Sequence, residues 1–372
     1  MKTLEETTNA SRSGFWATSA SSRGGQVLFF DMEEKNIAKL AMDLVRIPSI
    51  SGEEMEVGNF LKDLLAKDFT IKTQKVGNRI NVFAFTGRPK LMLTTHMDTV
   101  PGTPKIAEDS KFIYGRGSCD AKGAIAAMVS AALAALEGGL NDFCLLFDVD
   151  EENEFEGIKK AIKMVNPEFV VVGEPSSLKL VNGQKGLLQF DLSQKGRAAP
   201  ASLPQRGLSA INKLLLDLNK IAKIKLPKNK FLGETTMNIG KINGGRAANI
   251  IPDYAYAKID VRTSSRNSEI KQLFRKAAIN GKLKTELDFE PAFNDLYDLP
   301  KLLGLKTMVA SYFTEMYFWR KKANTVVFGP GDYRYAHSAF EKVSKKELLK
   351  AAEIYLEIIK LDSKGMLPSN DP

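Results

Sequence analysis

The chain has 372 residues, 44% of them hydrophobic, with 53 Lys and Arg against 44 Asp and Glu for a formal charge of +9; that length suits two or three domains with sizeable cores. Its two cysteines, Cys119 and Cys144, lack CxxC spacing, which argues against a disulfide framework and for a reducing, cytoplasmic setting. No apolar run reaches the ~18–20 residues of a membrane span, and the lysines are scattered in pairs such as Lys159-Lys160 and Lys345-Lys346 rather than interleaved with aromatics, so neither membrane nor nucleic acid is an expected partner.

Residues 1–31 differ from the rest. Their Ser-, Gly-, Ala- and Arg-rich stretch at 11–25 has no periodicity and no apolar signal core, so the segment reads as a disordered extension. From Met32 the elements alternate. Ile37, Leu40, Ala41, Leu44 and Val45 form the apolar face of a helix that ends before Ile47-Pro48, and a second helix includes 59–65. Strands follow at 80–84 and 90–95, an Ala-rich helix at 123–136, a buried strand at 142–149, a helix at 157–164 and a strand at 169–172. Such alternation predicts an α/β domain with a largely parallel sheet flanked by helices.

The pattern then changes. Leu188, Phe190 and Leu192 alternate as in a half-buried antiparallel strand at 186–193. An amphipathic helix at 208–224, strands at 236–242 and 254–262 joined through Gly244-Gly245, a helix at 268–278 and a strand at 282–289 complete a β-α-β-β-α-β order. After Pro291 the α/β pattern returns, with a strand at 325–328 and a helix at 345–359. The expected organisation is therefore one α/β domain, 32–183 with 293–372, interrupted by an α+β insert at 184–292.

The chain has two histidines, His96 and His337. His96 follows a buried strand, and Asp98 two residues on points the same way, placed to accept the free imidazole N–H. Asp120 sits in the glycine-rich loop YGRGSCDAKG before a helix, where N-capping is the plain alternative to ligation. Asp148, Asp150, Glu151 and Glu152 crowd the end of another buried strand, where like charges raise one another's pKa unless a cation intervenes. Glu174 ends a further apolar strand. The carboxyl ends of strands are where an open α/β sheet binds ligands.

Together HMDTVPG, YGRGSCDAKG, DEE, GEPS and the late GPGD…AH segment resemble the M20 metallopeptidases, nearest to the acetylornithine deacetylase, succinyl-diaminopimelate desuccinylase and LysW-lysine hydrolase group. The resemblance runs from about Ile47 to Ile359, and it implies a zinc-binding catalytic domain interrupted by a lid and dimerisation domain. It further implies two divalent ions, zinc or cobalt. Asp120 would bridge them, His96 and Glu174 would complete one site, and Glu152 and His337 the other. Asp98 would support His96, Glu151 would be the general base, and the Asp120–Ala121 peptide would be cis. In the lid, Asn249 and Arg262 match positions that touch the substrate's carbonyl or carboxylate, and Gly329 to Gly331 would form a backbone loop near that carboxylate. Read as residues alone, Asn249 caps a turn, Arg262 is a strand-edge charge and the glycines form an ordinary turn.

One departure stands out. The family's lid histidine, which stabilises the oxyanion from the partner subunit, is replaced by Pro200 in GRAAPASLP. The leading expectation is a homodimeric amidohydrolase of N-acyl amino acids, of the acetylornithine, acetyl-lysine or succinyl-diaminopimelate type. A di- or aminopeptidase of the same family is the second, and a metal-binding scaffold weakened by Pro200 is the alternative of another class.

Overall fold

The computed structural model describes residues 32–294, 296 and 298–368; the extension expected at 1–31 lies outside the described residues. Contacts divide the chain into two units, Met1–Asn182 with Asn294–Met308 and Thr314–Pro372, and Gly183–Phe293 with Val309–Phe313.

The first unit opens with α1 (Glu34–Arg46) and α2 (Met55–Leu65). In α1, Ile37, Ala41, Leu44 and Val45 are buried, the i, i+4, i+7, i+8 stripe of a helix packed on one side. Strands β1 (Thr70–Val76) and β2 (Arg79–Phe85) make a hairpin through Gly77-Asn78, with Gly77 at φ 64°. The first of these strands is polar and half exposed, which is why no strand is expected there from sequence. Then come β3 (Leu91–His96), α3 (Lys122–Glu137), β4 (Phe143–Asp148), α4 (Glu156–Ala161), β5 (Phe169–Val172) and β6 (Leu180–Gln184).

The second unit contains β7 (Gly186–Lys195), α5 (Ala210–Ile221), β8 (Thr236–Gly244), β9 (Tyr254–Thr263), α6 (Asn267–Ala277) and β10 (Lys282–Phe289). Its antiparallel sheet runs β8-β9-β7-β10. Leu188, Phe190 and Leu192 pack with Leu214, Ile259 and Phe274, and the Phe190 and Phe274 rings stack at 4.7 Å. β8 and β9 do pair, but the connection is the longer 245–253 segment rather than a tight glycine turn.

The first unit closes with β11 (Asn324–Val327) and α7 (Lys345–Ser363). Its strands run β1-β2-β4-β3-β5-β11-β6. The centre is parallel (β4, β3, β5 and β11), whereas β1, β2 and β6 run antiparallel to their neighbours, so the sheet is mixed. Strands β3, β4 and β5 are buried along their whole length, as apolar parallel strands covered by helices must be. Helix α3 is apolar on nearly every side and buried, packed with α1 and α7. Because four adjacent strands are parallel and His96 pairs with Asp148, the residues after each emerge along one edge of the sheet. Among the described residues no helix is long and apolar enough to cross a membrane.

Candidate metal centre

Three strand ends and two loops supply the site, all within the first unit. His96, the last residue of β3, is 1% exposed. Its Nδ1 lies 3.0 Å from the main-chain oxygen of Asp98 and 3.4 Å from the Asp98 carboxylate. The carbonyl is thus the nearer acceptor for the ring N–H, and Nε2 is left to face Asp120 Oδ1 at 3.1 Å and Glu174 Oε1 at 3.9 Å. The Asp98 carboxylate has further duties: it accepts the Ser51 hydroxyl at 2.6 Å and the N–H groups of Glu151 and Glu152 at 3.0 Å each.

Asp120 does not cap the helix that follows it. The residue at the α3 cap position is Ala121, without a side-chain bond. The Asp120 carboxylate instead lies between the two histidines, Oδ1 toward His96 and Oδ2 3.3 Å from His337 Nε2. His337 Nε2 is also 2.8 Å from Glu152 Oε1. Two triads result, His96–Asp120–Glu174 and Asp120–Glu152–His337, with ligand atoms within 4.8 Å of one another in each and Asp120 common to both. The Asp120–Ala121 peptide is cis. Glu341 holds the Asp120 loop from behind: its Oε1 accepts from the N–H groups of Cys119 and Asp120 at 3.2 Å each, and its Oε2 meets Arg116 at 2.5 Å.

The electrostatics are those of a site built around cations. Burial raises the pKa of Glu151, Glu152 and Glu174, and neighbouring acids add to it: Glu174 for Glu151, and Asp120 for the other two. Burial opposes protonation of both histidines, but the adjoining carboxylates prevail, so His96 lies well above the ordinary imidazole range and His337 is pushed up to about 11. Burial likewise opposes the charge on Asp120, yet the two imidazoles hold it below the usual carboxylate range. Glu174 Oε1 is buried without a hydrogen-bond partner. Two imidazole nitrogens, a shared carboxylate and a buried unpartnered carboxylate oxygen fit a pair of zinc-like ions.

The crowded acids of residues 148–152 do not all face this site. Asp148 turns inward toward Glu315, where burial pushes it up to about 7. Asp150 bonds Arg79. Only Glu151 and Glu152 remain with the triads, because the turn after β4 sends successive side chains in different directions. Gly329 and Gly331, expected in a backbone loop near the substrate carboxylate, lie against the segments that bear Glu174 and Cys119. Their N–H groups donate to Ser176 Oγ and Glu347 Oε2, and a Cβ at either position would approach within 2.5 Å of Glu174 O or 2.6 Å of Cys119 Sγ. They let the backbone of this loop lie close to the segments bearing Glu174 and Asp120. Asn249, Arg262 and Pro200 belong to the second unit. There Arg262 Nε bonds Asp260 at 2.8 Å, Pro200 forms a bridge with Ile250, and Asn249 O accepts the Ala201 N–H. Arg79, Glu54 and Glu341 carry no motif of their own and are recognisable as site residues only once the fold brings them there.

Residues 92–361 match the description "Peptidase family M20/M25/M40". A "Peptidase M20 domain-containing protein" of Schizosaccharomyces pombe is 36% identical over 341 residues, covering 87% of this chain and 84% of that protein. A "Probable carboxypeptidase" of Aspergillus terreus is 34% identical over 366 residues, covering 85% and 84%. Among solved structures, a tripeptidase from Staphylococcus aureus superposes with a TM-score of 0.75 at 25% identity, covering 89% of this chain and 99% of that one. None of these three is named as a deacetylase or desuccinylase.

Proposed function

Given that the chain belongs to peptidase family M20/M25/M40 and so is a metal-dependent hydrolase of amide bonds, we propose that it is a dinuclear exopeptidase of the carboxypeptidase type, acting on short peptides. The observation that carries this reading is the sharing of Asp120 by two triads while Glu151, buried beside them, belongs to neither. Residues His96, Asp120 and Glu174 would hold one ion and Asp120, Glu152 and His337 the other, with zinc favoured by the mixed nitrogen and oxygen donors and cobalt acceptable. When bound, the two ions supply Lewis acidity, acidifying the attacking water and polarising the scissile carbonyl.

The protein's own groups do the rest. Glu151 takes the water's proton and returns it to the leaving amine, the task of a carboxylate whose basicity is raised by burial. Asp98 fixes Glu151 and Glu152 through their N–H groups. Arg262 and Asn249 are assigned to the substrate's terminal carboxylate and carbonyl; a guanidinium bonded to Asp260 through Nε retains its Nη donors for a carboxylate. Pro200 offers no side-chain donor and no N–H, so no oxyanion donor comes from that position. A cytoplasmic homodimer assembled through the second unit completes the proposal.

The relatives' names favour peptides over the N-acyl amino acids expected from the motifs. A panel of di- and tripeptides, their carboxyl-amidated forms, N-acetylornithine and N-succinyl-diaminopimelate, assayed with zinc and with cobalt, tests this. Free-carboxylate peptides should turn over fastest; preference for an N-acyl amino acid would restore deacylation. Glu151→Gln should abolish turnover while metal content stays at the wild-type level, whereas equal metal loss in Glu151→Gln and Glu152→Gln would show that the two roles are assigned the wrong way round.

A further inference from the structure

At the end of β4 three consecutive N–H groups each donate to a buried carboxylate: Asp150 to Glu54 Oε1 at 3.1 Å, Glu151 to Asp98 Oδ1 at 3.0 Å and Glu152 to Asp98 Oδ2 at 3.0 Å. Asp150 has φ 72°, in the left-handed region that is unfavourable for residues other than glycine. Its carboxylate closes the turn by accepting the N–H groups of Glu154 at 3.3 Å and Glu156 at 3.2 Å. Glu54, just before α2, accepts the Gly52 N–H through Oε2 at 2.8 Å. The cation that reconciles these acids is Arg79, the first residue of β2. Its Nη1 is 3.0 Å from both Glu54 Oε1 and Asp150 Oδ1, and the three side chains are 12%, 0% and 5% exposed. None of the three belongs to a metal triad.

We propose that Arg79, acting through Glu54 and Asp150, is a positioning residue for Glu151. It holds the 149–156 turn in its left-handed form and so sets the direction of the Glu151 carboxylate before any metal is bound. This rests on the reading of Glu151 as general base. The physical reason is an asymmetry between neighbours. Without the cation, Glu54 and Asp150 repel, and Asp150 gains by leaving the left-handed region, which rotates the peptide leading into Glu151. Metal ligation can draw Glu152 back into place. Glu151 has no such bond, so an error in the turn falls on the base rather than on the metal site. A shift of about 1 Å at such a group can cost ~10²-fold in rate.

The test uses the full-length protein, metal-free and metal-loaded. Arg79→Gln should speed amide exchange in the 149–156 turn at least about tenfold in the metal-free protein while β3 stays protected. In the loaded enzyme it should lower kcat by ~10²-fold, with KM and metal content within about twofold of wild type. Arg79→Lys, which returns a cation that can sit between both carboxylates, should recover most of both losses. Asp150→Ala, which removes the acceptor that closes the turn and leaves a side chain that disfavours the left-handed region, should reproduce the signature of Arg79→Gln and carries the test if that variant does not fold. Glu151→Gln runs alongside. If it retains turnover, the general-base reading falls, and exchange in the turn still judges whether Arg79 holds it. If Glu151→Gln is inactive while Arg79→Gln leaves exchange and kcat unchanged, or loses metal in proportion to kcat, the positioning role is overturned.

Discussion

At the residue scale the chemistry depends on how few groups carry positive charge near the triads. His337 is pushed up to about 11 because the bonds from Asp120 and Glu152 outweigh the burial that opposes its protonation, and His96 is raised by the same kind of neighbours. Both imidazoles therefore carry protons at neutral pH when no cation competes. A metal must displace those protons, so binding releases them and apparent affinity rises with pH. Calorimetric titration of zinc into the metal-free protein at about pH 7, in buffers of different ionisation enthalpy, should show net proton release, and His337→Ala should reduce it. Release unchanged by that substitution would mean His337 does not bind the ion. Arg79 plays the corresponding part for the acids behind the site. Removing one partner from a buried charge cluster costs about 3–5 kcal/mol, which is why its lysine variant is the informative one.

Among the elements, α7 shows how a helix can be well made along its length and poorly ended. Ser344 caps its start by accepting the Glu347 N–H, and Leu348, Ala351, Tyr355, Ile358 and Ile359 are buried, with the Tyr355 hydroxyl donating to Phe328 O at 2.7 Å. Its last turn, however, contains Asp362, an acid at the negative end of the helix dipole. Burial, followed by the charge of Glu168, pushes Asp362 up to about 6. A carboxyl raised in the folded state binds extra protons there, so its contribution is intact below the unfolded pKa of about 4 and is lost as pH rises through 6. Asp362→Asn should accordingly raise Tm over wild type at about pH 8, with the gain shrinking toward about pH 4. Equal gains at both pH values would assign the effect to packing instead of charge.

For the whole molecule, metal content and stability should be linked through the same acids. Glu151, Glu152 and Glu174 are raised by burial and then by neighbouring acids, Glu174 for Glu151 and Asp120 for the other two, and both histidines are raised as well, so the metal-free native state holds more protons than the unfolded chain. Its stability therefore falls as pH rises above the ordinary glutamate range of about 4.3. Asp98 and Asp120, held below the usual range, titrate beneath that window. Bound ions take the place of the protons and stabilise the native state by mass action. Stripping the metals should thus lower Tm, and the difference between loaded and stripped protein should widen from about pH 5 to about pH 8 in thermal scans. A gap that stays constant or narrows would sink the linkage.

Periodicity already discloses the alternating elements and the β-α-β-β-α-β order of the middle segment, because buried strands are continuous apolar runs, and charge marks the strand ends; the set His96, Asp120, Glu152, Glu174, His337 comes from the resemblance of the motifs. β1 is not legible: a polar edge strand has neither signal, and its place follows from pairing with β2. Nor can spacing say which of four neighbouring acids turns toward the site. Asp148 goes inward to Glu315 and Asp150 to Arg79, while Glu151 and Glu152 stay with the triads, because the left-handed residue at 150 redirects the chain. The use of Gly329 and Gly331 is likewise set by how closely their backbone must approach Glu174 and Cys119. Local sequence encodes burial and charge, which are properties of one segment. Direction and partnership are relations between segments distant in the chain, such as Arg79 with Asp150 or Asp120 with Glu341, and they exist only once the sheet has brought those segments together.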